Sequence, residues 1–296
     1  MLIEKFVDYL LLEKKYSKHT VIAYHKDLVS FSEFYLREFG DQDISKSNYS
    51  QIRSWIVSLV DQQVSNRTIN RKVSSLKAYY RFLLKLGEIE KNPLANHQAL
   101  KVSKKIQIPF SDKEVDVVLS ELEGNDDFIS VRDRLIVELF YGTGIRRIEL
   151  VDLKVGDVDF MSKQIKVVGK RNKERYIPLI PSILHTVDKY LLLREEVLSD
   201  PEDKALLITQ KGVKIYETLV YRIINSYFSK VSSKIKRSPH ILRHSFATHL
   251  LGEGADLNAV KELLGHSSLA ATQVYTNQSI AQLAKIHKNS HPRNKK

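Results

Sequence analysis

The first 87 residues place apolar side chains at the spacing of amphipathic helices, with short polar breaks between the helical stretches. Ser17 precedes one stretch as an N-cap, and Gly87 follows the last as a C-cap. Between them, one stretch contains Trp55 and another begins near Asn66. This pattern predicts a helical N-terminal domain over residues 1–87.

The helical periodicity stops after this domain and resumes at Ser111. The interval 88–110 contains two prolines and a cluster of lysines, which indicates an interdomain linker. Ser111 and Glu114 then form a capping box, the usual start of a new helix. We therefore expect a second domain over residues 111–296.

The second domain is predicted to be mainly helical with one small sheet. Alternating runs predict strands at 158–161, 164–168 and 174–179, with a basic turn before the last, and an apolar run predicts a further short strand at 206–209. Further helices are predicted to begin at or near Ser182, Tyr216, Leu242, Leu257, Ser268 and Ser279. The expected fold class is mainly α with a small β-sheet, in which a helical domain precedes an α+β domain.

Composition narrows the chemistry that is available to the chain. It has no cysteine, which excludes thiolate nucleophiles and disulfides, and this fits a reducing cytoplasm. Its formal net charge of +12 is expected of a protein that neutralises phosphates. No apolar run approaches a membrane span, and the first residues include acids where a signal peptide has bases. The expectation is a cytoplasmic DNA-binding protein that does not enter a membrane.

Two arginines and a histidine are placed where a phosphate could bind. Arg146 follows the glycine-containing turn 142–144, at a helix start, and Glu149 lies one turn further on as its structural support. His240 and Arg243 are three residues apart at another helix start, so they share a face near the positive end of the helix dipole. Taken alone, Arg146 and Glu149 fit a structural ion pair equally well.

Three more groups complete a possible phosphoryl-transfer site. Lys170 lies at the tip of a hairpin, from which it could donate a proton, although a solvated turn lysine is the more ordinary interpretation. His266 lies in a turn between two helices, and Tyr275 follows nine residues later. A phenol with a pKa near 10 needs a base and nearby cations to act as a nucleophile at neutral pH, and the five other residues supply both without a metal or cofactor.

Basic and amide side chains on the fourth helix and on the hairpin are candidates for contacts with DNA backbone or base edges. A solvated helix face or turn is the alternative for each of them. The candidates are Arg67, Thr68, Asn70, Arg71, Lys72, Lys173 and Arg175.

Five segments in order match one family pattern: residues 142–150, 169–175, 240–251, 264–268 and 275–276. Together they resemble the tyrosine recombinase (phage integrase) family, specifically its Xer branch. Residues 16–28 and 74–80 also look like the family's core-binding, SAM-like DNA-binding domain. The chain departs from the usual pattern at residues 147–148 and 171, none of which is a catalytic position.

The resemblance implies a site-specific recombinase that cuts and rejoins double-stranded DNA through a 3′-phosphotyrosine. It implies that Tyr275 is the nucleophile and that the other catalytic positions are Arg146, Lys170, His240, Arg243 and His266. It also implies a homo- or heterotetramer on DNA, with the tail 279–296 docked on a neighbouring subunit. Packing of the tail on its own domain would explain its apolar residues equally well. A second Xer recombinase and an activating DNA translocase are possible partners.

Several functions fit these features. Resolution of chromosome or plasmid dimers at cell division and integration of a mobile element use the same chemistry. Relaxation of supercoils by a type IB topoisomerase shares the phosphotyrosine, but the match over the whole chain disfavours it. A DNA-binding module without activity has no need of the nucleophile. A metal-dependent nuclease needs a cluster of carboxylates, and the motifs of this sequence contain none.

Overall fold

The computed structural model describes residues 2–103, 107–169, 172–234 and 237–265. The chain forms two compact units, Met1–Lys105 and Ile106–Lys296. The division between the units falls inside the interval 88–110 that the sequence marks as a linker. Each unit is described separately below.

The first unit is built from four helices whose ends follow their capping residues. The helices are α1 (Leu2–Asp8), which continues as a π-helical turn (Tyr9–Glu13), α2 (Lys18–Phe39), α3 (Tyr49–Asp61) and α4 (Asn66–Leu86), with a 3₁₀ turn at Ile44–Lys46. The Ser17 hydroxyl accepts a hydrogen bond from the Thr20 N–H, and Gly87 ends α4 in the left-handed conformation with φ 75°. Both predicted caps are confirmed.

Aromatic side chains form the core of the first unit. Four aromatic residues on three different helices are fully buried: Phe31, Trp55, Tyr79 and Tyr80. Because each helix buries one apolar face, the spacing of apolar residues in the sequence predicts these helices well. The chain after α4 also packs on this unit, since Leu94 is fully buried in the same core. At least part of the interval predicted as a linker therefore belongs to the first unit.

The second unit combines helices with one three-stranded sheet. Its helices are α5 (Asp112–Glu123), α6 (Phe128–Thr143), α7 (Arg147–Val151), α8 (Pro181–Val197), α9 (Glu217–Val231), α10 (Pro239–Gly252) and α11 (Leu257–Leu264). Its strands are β1 (Val158–Asp159), β2 (Gln164–Val168) and β3 (Glu174–Pro178). The mainly helical fold class with a small sheet is confirmed.

The sheet is antiparallel in the order β1-β2-β3, and α6 lies at the centre of the helical core. In the register of β2 and β3, Val167 pairs with Arg175. The strand predicted at 206–209 is wrong: this segment makes only isolated bridges, from Ala205 to Lys154 and from Ile208 to Lys214. Its backbone hydrogen bonds are divided between two partners, since the Leu206 N–H donates to the Leu153 carbonyl oxygen and the Thr209 N–H to the Val213 carbonyl oxygen, and neither side forms a continuous ladder.

No helix within the described ranges is both long enough and apolar enough to cross a bilayer. The helices predicted to begin at Ser268 and Ser279, and the tail 279–296, lie outside the described residues.

Candidate active site

Arg146 is placed by a glycine turn that admits no other residue without strain. α6 ends at Thr143, and Gly144 adopts the left-handed conformation with φ 60°. A Cβ at Gly144 would lie 2.5 Å from the Phe246 ring, so both backbone angle and packing demand glycine. Arg146 follows as the N-cap of α7, and its backbone N–H donates to Glu149 at 2.9 Å. The predicted glycine turn therefore presents Arg146 at a helix start.

Arg243 comes from α10, far along the chain, and reaches the same turn. Ser238 is the N-cap and Pro239 the first residue of α10, so the helix starts three residues before the predicted Leu242 and includes both His240 and Arg243. The Arg243 guanidinium is buried and donates to the Gly144 carbonyl oxygen, and its Nη2 donates to the Leu264 carbonyl oxygen at 2.7 Å. His240 lies one turn earlier on α10 and is exposed.

Three guanidiniums meet the carbonyl end of α11. The last carbonyls of a helix lack partners within it and hold partial negative charge. Arg175 donates to the Leu263 oxygen at 3.0 Å, Arg243 to the Leu264 oxygen, and Arg146 to the Gly265 oxygen at 2.7 Å. Two of these three side chains are the predicted phosphate-binding arginines.

The carboxylate of Glu149 joins two of these guanidiniums. One oxygen accepts from Arg146 Nη1 at 2.7 Å, and the two oxygens accept from Arg175 at 2.9 and 2.8 Å in a bidentate pair. Side-chain exposure is 3% for Glu149 and 6% for Arg175. The support predicted for Arg146 is present, and it extends to a second arginine.

Arg175 is not the surface DNA contact that the sequence analysis proposes. It is buried beneath the site, because β3 turns Arg175 and Ile177 to the interior and Glu174 and Tyr176 outward. The basic turn suggested a solvent-facing cation. The two-residue alternation of β3 is the sequence signal that could have placed Arg175 inside.

The pKa values of this cluster follow from burial and charge together. Burial alone would raise the pKa of Glu149, but hydrogen bonds and charge from Arg175, with hydrogen bonds from Arg146, lower it to about 2. Burial lowers the pKa of Arg243 to about 9, and repulsion from Arg146 acts in the same direction. Both groups are therefore charged at neutral pH.

Several DNA-contact candidates on α4 have partners inside the first unit. The Asn70 amide donates to the Leu100 carbonyl oxygen at 2.8 Å and accepts from the Leu100 N–H at 2.9 Å. Arg71 and Lys72 neutralise Asp27, whose side chain is 2% exposed. A buried carboxylate requires such partners, so Arg71 and Lys72 stabilise the first unit, and Asn70 fixes the backbone at Leu100. Arg71 is nevertheless exposed, so its contact with DNA stays a prediction.

Two other DNA-contact candidates are exposed and, unlike Arg71, are not paired with a buried carboxylate among the described residues. Arg67 and Lys173 are exposed, and the hydroxyl of Thr68 contacts that of Ser65 at 2.9 Å in the cap of α4. Arg67 and Lys173 thus remain the better candidates for contact with DNA.

The remaining predicted catalytic residues, Lys170, His266 and Tyr275, lie outside the described residues. What the structure brings together is Arg146, Arg243 and Gly265, and Gly265 directly precedes His266. Within the described ranges, no three His, Asp or Glu side chains are grouped so that they could hold a metal ion.

Comparison with known proteins agrees with this geometry. The Phage integrase family model matches residues 109–282, and the model for the Phage integrase N-terminal SAM-like domain matches residues 3–87. The chain belongs to the phage integrase family of tyrosine recombinases, and the resemblance seen in its motifs is confirmed.

Its relatives include proteins named Tyrosine recombinase XerC. The one from Oceanobacillus iheyensis is 38% identical over 98% of this chain and 96% of its own length. The one from Staphylococcus carnosus is 37% identical over 99% of this chain and 98% of its own length. A crystal structure of the XerH site-specific recombinase bound to palindromic difH substrate covers 98% of this chain and 81% of that chain, with a TM-score of 0.71 at 20% identity, and it supports the fold.

Replacing Glu149 by Gln is expected to destabilise the second unit by about 3–5 kcal/mol at pH 7, because the buried Arg175 guanidinium and the partly exposed Arg146 guanidinium lose their carboxylate. The pKa of Glu149 is about 2 in the folded chain and about 4.3 when unfolded. The stabilisation from the Glu149 carboxylate is therefore complete above its pKa in the unfolded chain. It is lost as the pH falls through its pKa in the folded chain. Denaturant unfolding followed by circular dichroism should show the difference between wild type and variant shrinking from pH 5 towards about pH 2.

The fluorescence of Trp55 reports the first unit and serves as an internal reference, because it is the protein's single tryptophan. Glu217→Gln is the matched control: Glu217 pairs with Arg147 at an exposed position, and its loss should change stability by less than about 1 kcal/mol. A Glu149→Gln effect that is equal at all these pH values would contradict the assigned pKa.

Proposed function

We propose that this site-specific DNA recombinase cleaves duplex DNA by attack of the Tyr275 phenolic oxygen on a backbone phosphorus. The attack forms a 3′-phosphotyrosine and releases a 5′-hydroxyl, and the reverse step with a different 5′-hydroxyl joins the exchanged strand. One phosphodiester is exchanged for another of similar energy, so the cycle requires no ATP. We place this activity in the cytoplasm, where the chromosome lies.

The main support is the convergence of Arg146 and Arg243. They donate to the neighbouring carbonyl oxygens of Gly265 and Leu264, so their guanidiniums lie side by side although they are distant in sequence. Two adjacent guanidiniums match the two non-bridging oxygens of a phosphodiester. In the proposed reaction they stabilise the negative charge of the pentavalent transition state.

The other roles are assigned by the matching family positions. His240 would accept the proton of Tyr275, and its exposed position one turn before Arg243 leaves it open to solvent and substrate. His266 would donate a hydrogen bond to the phosphate, and it follows directly on the turn that Arg146 and Arg243 contact. Lys170 would protonate the departing 5′ oxygen.

The relatives named Tyrosine recombinase XerC support resolution of chromosome or plasmid dimers at cell division as the biological task. Integration of a mobile element by the same chemistry is the second candidate. The two differ in the DNA sequence that is cut. Sequencing of DNA captured covalently from a library of nicked substrates distinguishes them, because a chromosomal site supports the first and a mobile-element end supports the second.

Replacing Tyr275 by Phe is expected to abolish the covalent complex with a nicked suicide substrate, because the attacking oxygen is removed. DNA affinity should change by less than about threefold, since one hydroxyl contributes little to a charge-dominated interface. Denaturing gel electrophoresis measures the covalent complex. Tyr221→Phe, at an exposed tyrosine on α9, should trap DNA like the wild type. Trapped complex from Tyr275→Phe would show that another residue is the nucleophile.

Replacing Lys170 by Ala is expected to slow cleavage by about 100-fold, the usual contribution of a general acid. A substrate with a 5′-thiolate leaving group, which needs no proton, should restore most of the rate. Lys173→Ala is the comparison: loss of a backbone contact should weaken DNA binding, and the thiolate should not rescue it. Failure of rescue in Lys170→Ala would assign Lys170 to DNA binding instead.

We further propose that four subunits act on two DNA duplexes, as a homotetramer or with a second Xer recombinase. Exchange of four strands requires four nucleophiles, and closed cyclic assemblies provide equivalent sites. The tail 279–296 has apolar residues at helical spacing, which suits docking on a neighbouring subunit. A DNA translocase is a possible activator of the assembly.

Deleting residues 279–296 should preserve binding to a single half-site and reduce cooperative binding to a full site by about tenfold or more. Electrophoretic mobility shifts on half-site and full-site DNA measure both quantities. Deleting only residues 294–296 is the control and should leave cooperativity intact. Equal cooperativity in the two deletions would remove the tail from the subunit interface.

A further inference from the structure

The guanidinium of Arg175 donates three hydrogen bonds inside the second unit, one from each of its nitrogens. Its Nε donates to the Leu263 carbonyl oxygen at 3.0 Å, and its Nη1 and Nη2 donate to Glu149 at 2.9 and 2.8 Å. The whole residue is 5% exposed. Such a side chain has no reach to DNA, and its fixed donors instead hold two other parts of the chain.

Those two parts each lead directly to a residue of the proposed reaction. Glu149 accepts a hydrogen bond from Arg146 as well, so the position of Arg146 depends on the carboxylate that Arg175 fixes. Leu263 lies in the last turn of α11, three residues before His266. Arg175 therefore lies between the support of a phosphate-binding arginine and the segment that leads to a phosphate-binding histidine.

The turn that follows α11 also packs directly on Arg175. Gly265 adopts φ 61°, and a Cβ at this position would lie 3.3 Å from three atoms of the Arg175 side chain. The position of Gly265 is thus set by contact with Arg175 and by the hydrogen bond from Arg146 to its carbonyl oxygen. A shift of Arg175 would move both partners of that hydrogen bond.

The hairpin of β2 and β3 also packs on the Arg175 guanidinium. Arg175 is the second residue of β3, and the turn before it is closed by the Gly169 N–H on the Lys173 carbonyl oxygen at 2.7 Å. A Cβ at Gly169 would lie 3.3 Å from Glu149 Oε1 and 3.6 Å from Arg175 Nη1. The base of the turn that contains Lys170 therefore rests on the pair of Arg175 and Glu149.

We propose that Arg175 is a positioning residue for DNA cleavage: it aligns Arg146, the turn before His266 and the base of the Lys170 hairpin around one phosphate. This inference rests on the proposed function of those three residues. Lysine cannot replace arginine in this role, because an ammonium is a point charge and lacks the planar fork that holds a carboxylate and a carbonyl at once.

The test compares two DNA substrates under single-turnover conditions with saturating protein. One has the normal phosphate at the cleavage position, and the other has a methylphosphonate, which lacks one negative charge and depends less on aligned cations. Arg175→Lys should cleave the phosphate about 10- to 100-fold more slowly than the wild type, the usual effect of losing a supporting contact. On the methylphosphonate the loss should be at least about threefold smaller, because less charge has to be stabilised.

The matched control is Arg194→Lys. Arg194 is equally buried in the same unit and donates to the carbonyl oxygens of Ala205 and Asp203, in contacts that involve none of the proposed catalytic residues. Its replacement should lower stability and leave both cleavage rates within about twofold of wild type. Equal losses in Arg175→Lys and Arg194→Lys, or an Arg175→Lys loss that is the same on both substrates, would overturn the inference.

Gly265→Ala serves as a second variant that keeps Arg175. The added methyl group presses on the Arg175 side chain, and the same difference between the two substrates is expected. An unchanged rate in Gly265→Ala or in folded Arg175→Lys would contradict the positioning role. Absence of covalent product from the wild type would instead contradict the proposed function, so the two failures are distinguishable.

Discussion

The second unit depends on a buried carboxylate that holds two guanidiniums at once. Glu149 accepts hydrogen bonds from Arg146 and Arg175, and burying Glu149 or Arg175 without a partner would be strongly unfavourable. Their mutual neutralisation makes the site possible, and it joins α7 to β3. Arg146, Arg175 and Arg243 also donate hydrogen bonds to the carbonyl oxygens at the end of α11. These oxygens have no partners within the helix, so the three guanidiniums cap it.

The arrangement leaves positive charge in excess. Within the described residues, the contacts reported above combine three guanidiniums with one carboxylate, and the partial charge of a helix end is only about half an elementary charge. Burial and repulsion from Arg146 lower the pKa of Arg243, so the excess positive charge acts on this guanidinium. In the proposed reaction, a phosphodiester bound by Arg146 and Arg243 places negative charge beside these two guanidiniums.

Much of the fold could be predicted from the sequence, because its signals are local. Ser17, Gly87 and the capping box at Ser111 mark helix ends that the structure reproduces. The strand expected at 206–209 failed because an apolar run reports burial, whereas strand pairing depends on partners elsewhere in the chain. The candidate site also has a part that is local in sequence. Arg146 caps α7 and Glu149 lies one turn further on, so their contact follows from their spacing.

The roles of Arg175 and Arg71 depend on long-range contacts that no local pattern contains. Arg71 on α4 neutralises Asp27 on α2, and Arg175 on β3 reaches Glu149 on α7. Arg175 looked like a solvent-facing cation and is buried, whereas Arg71 is exposed but also pairs with a buried carboxylate. For Arg175 the alternation of β3 gives some warning, while for Arg71 nothing in the sequence indicates the partner.

The central claim is that Arg146 and Arg243 bind one phosphate while the Glu149 and Arg175 pair stays intact beneath them. A crystal structure of the Tyr275→Phe variant bound to its DNA site tests it most directly. The account predicts both guanidiniums within hydrogen-bond distance of the non-bridging oxygens of the same phosphate, with Arg175 still on Glu149 and on the Leu263 carbonyl oxygen. Two arginines on different phosphates, or Arg175 released from Glu149 to contact DNA, would contradict it.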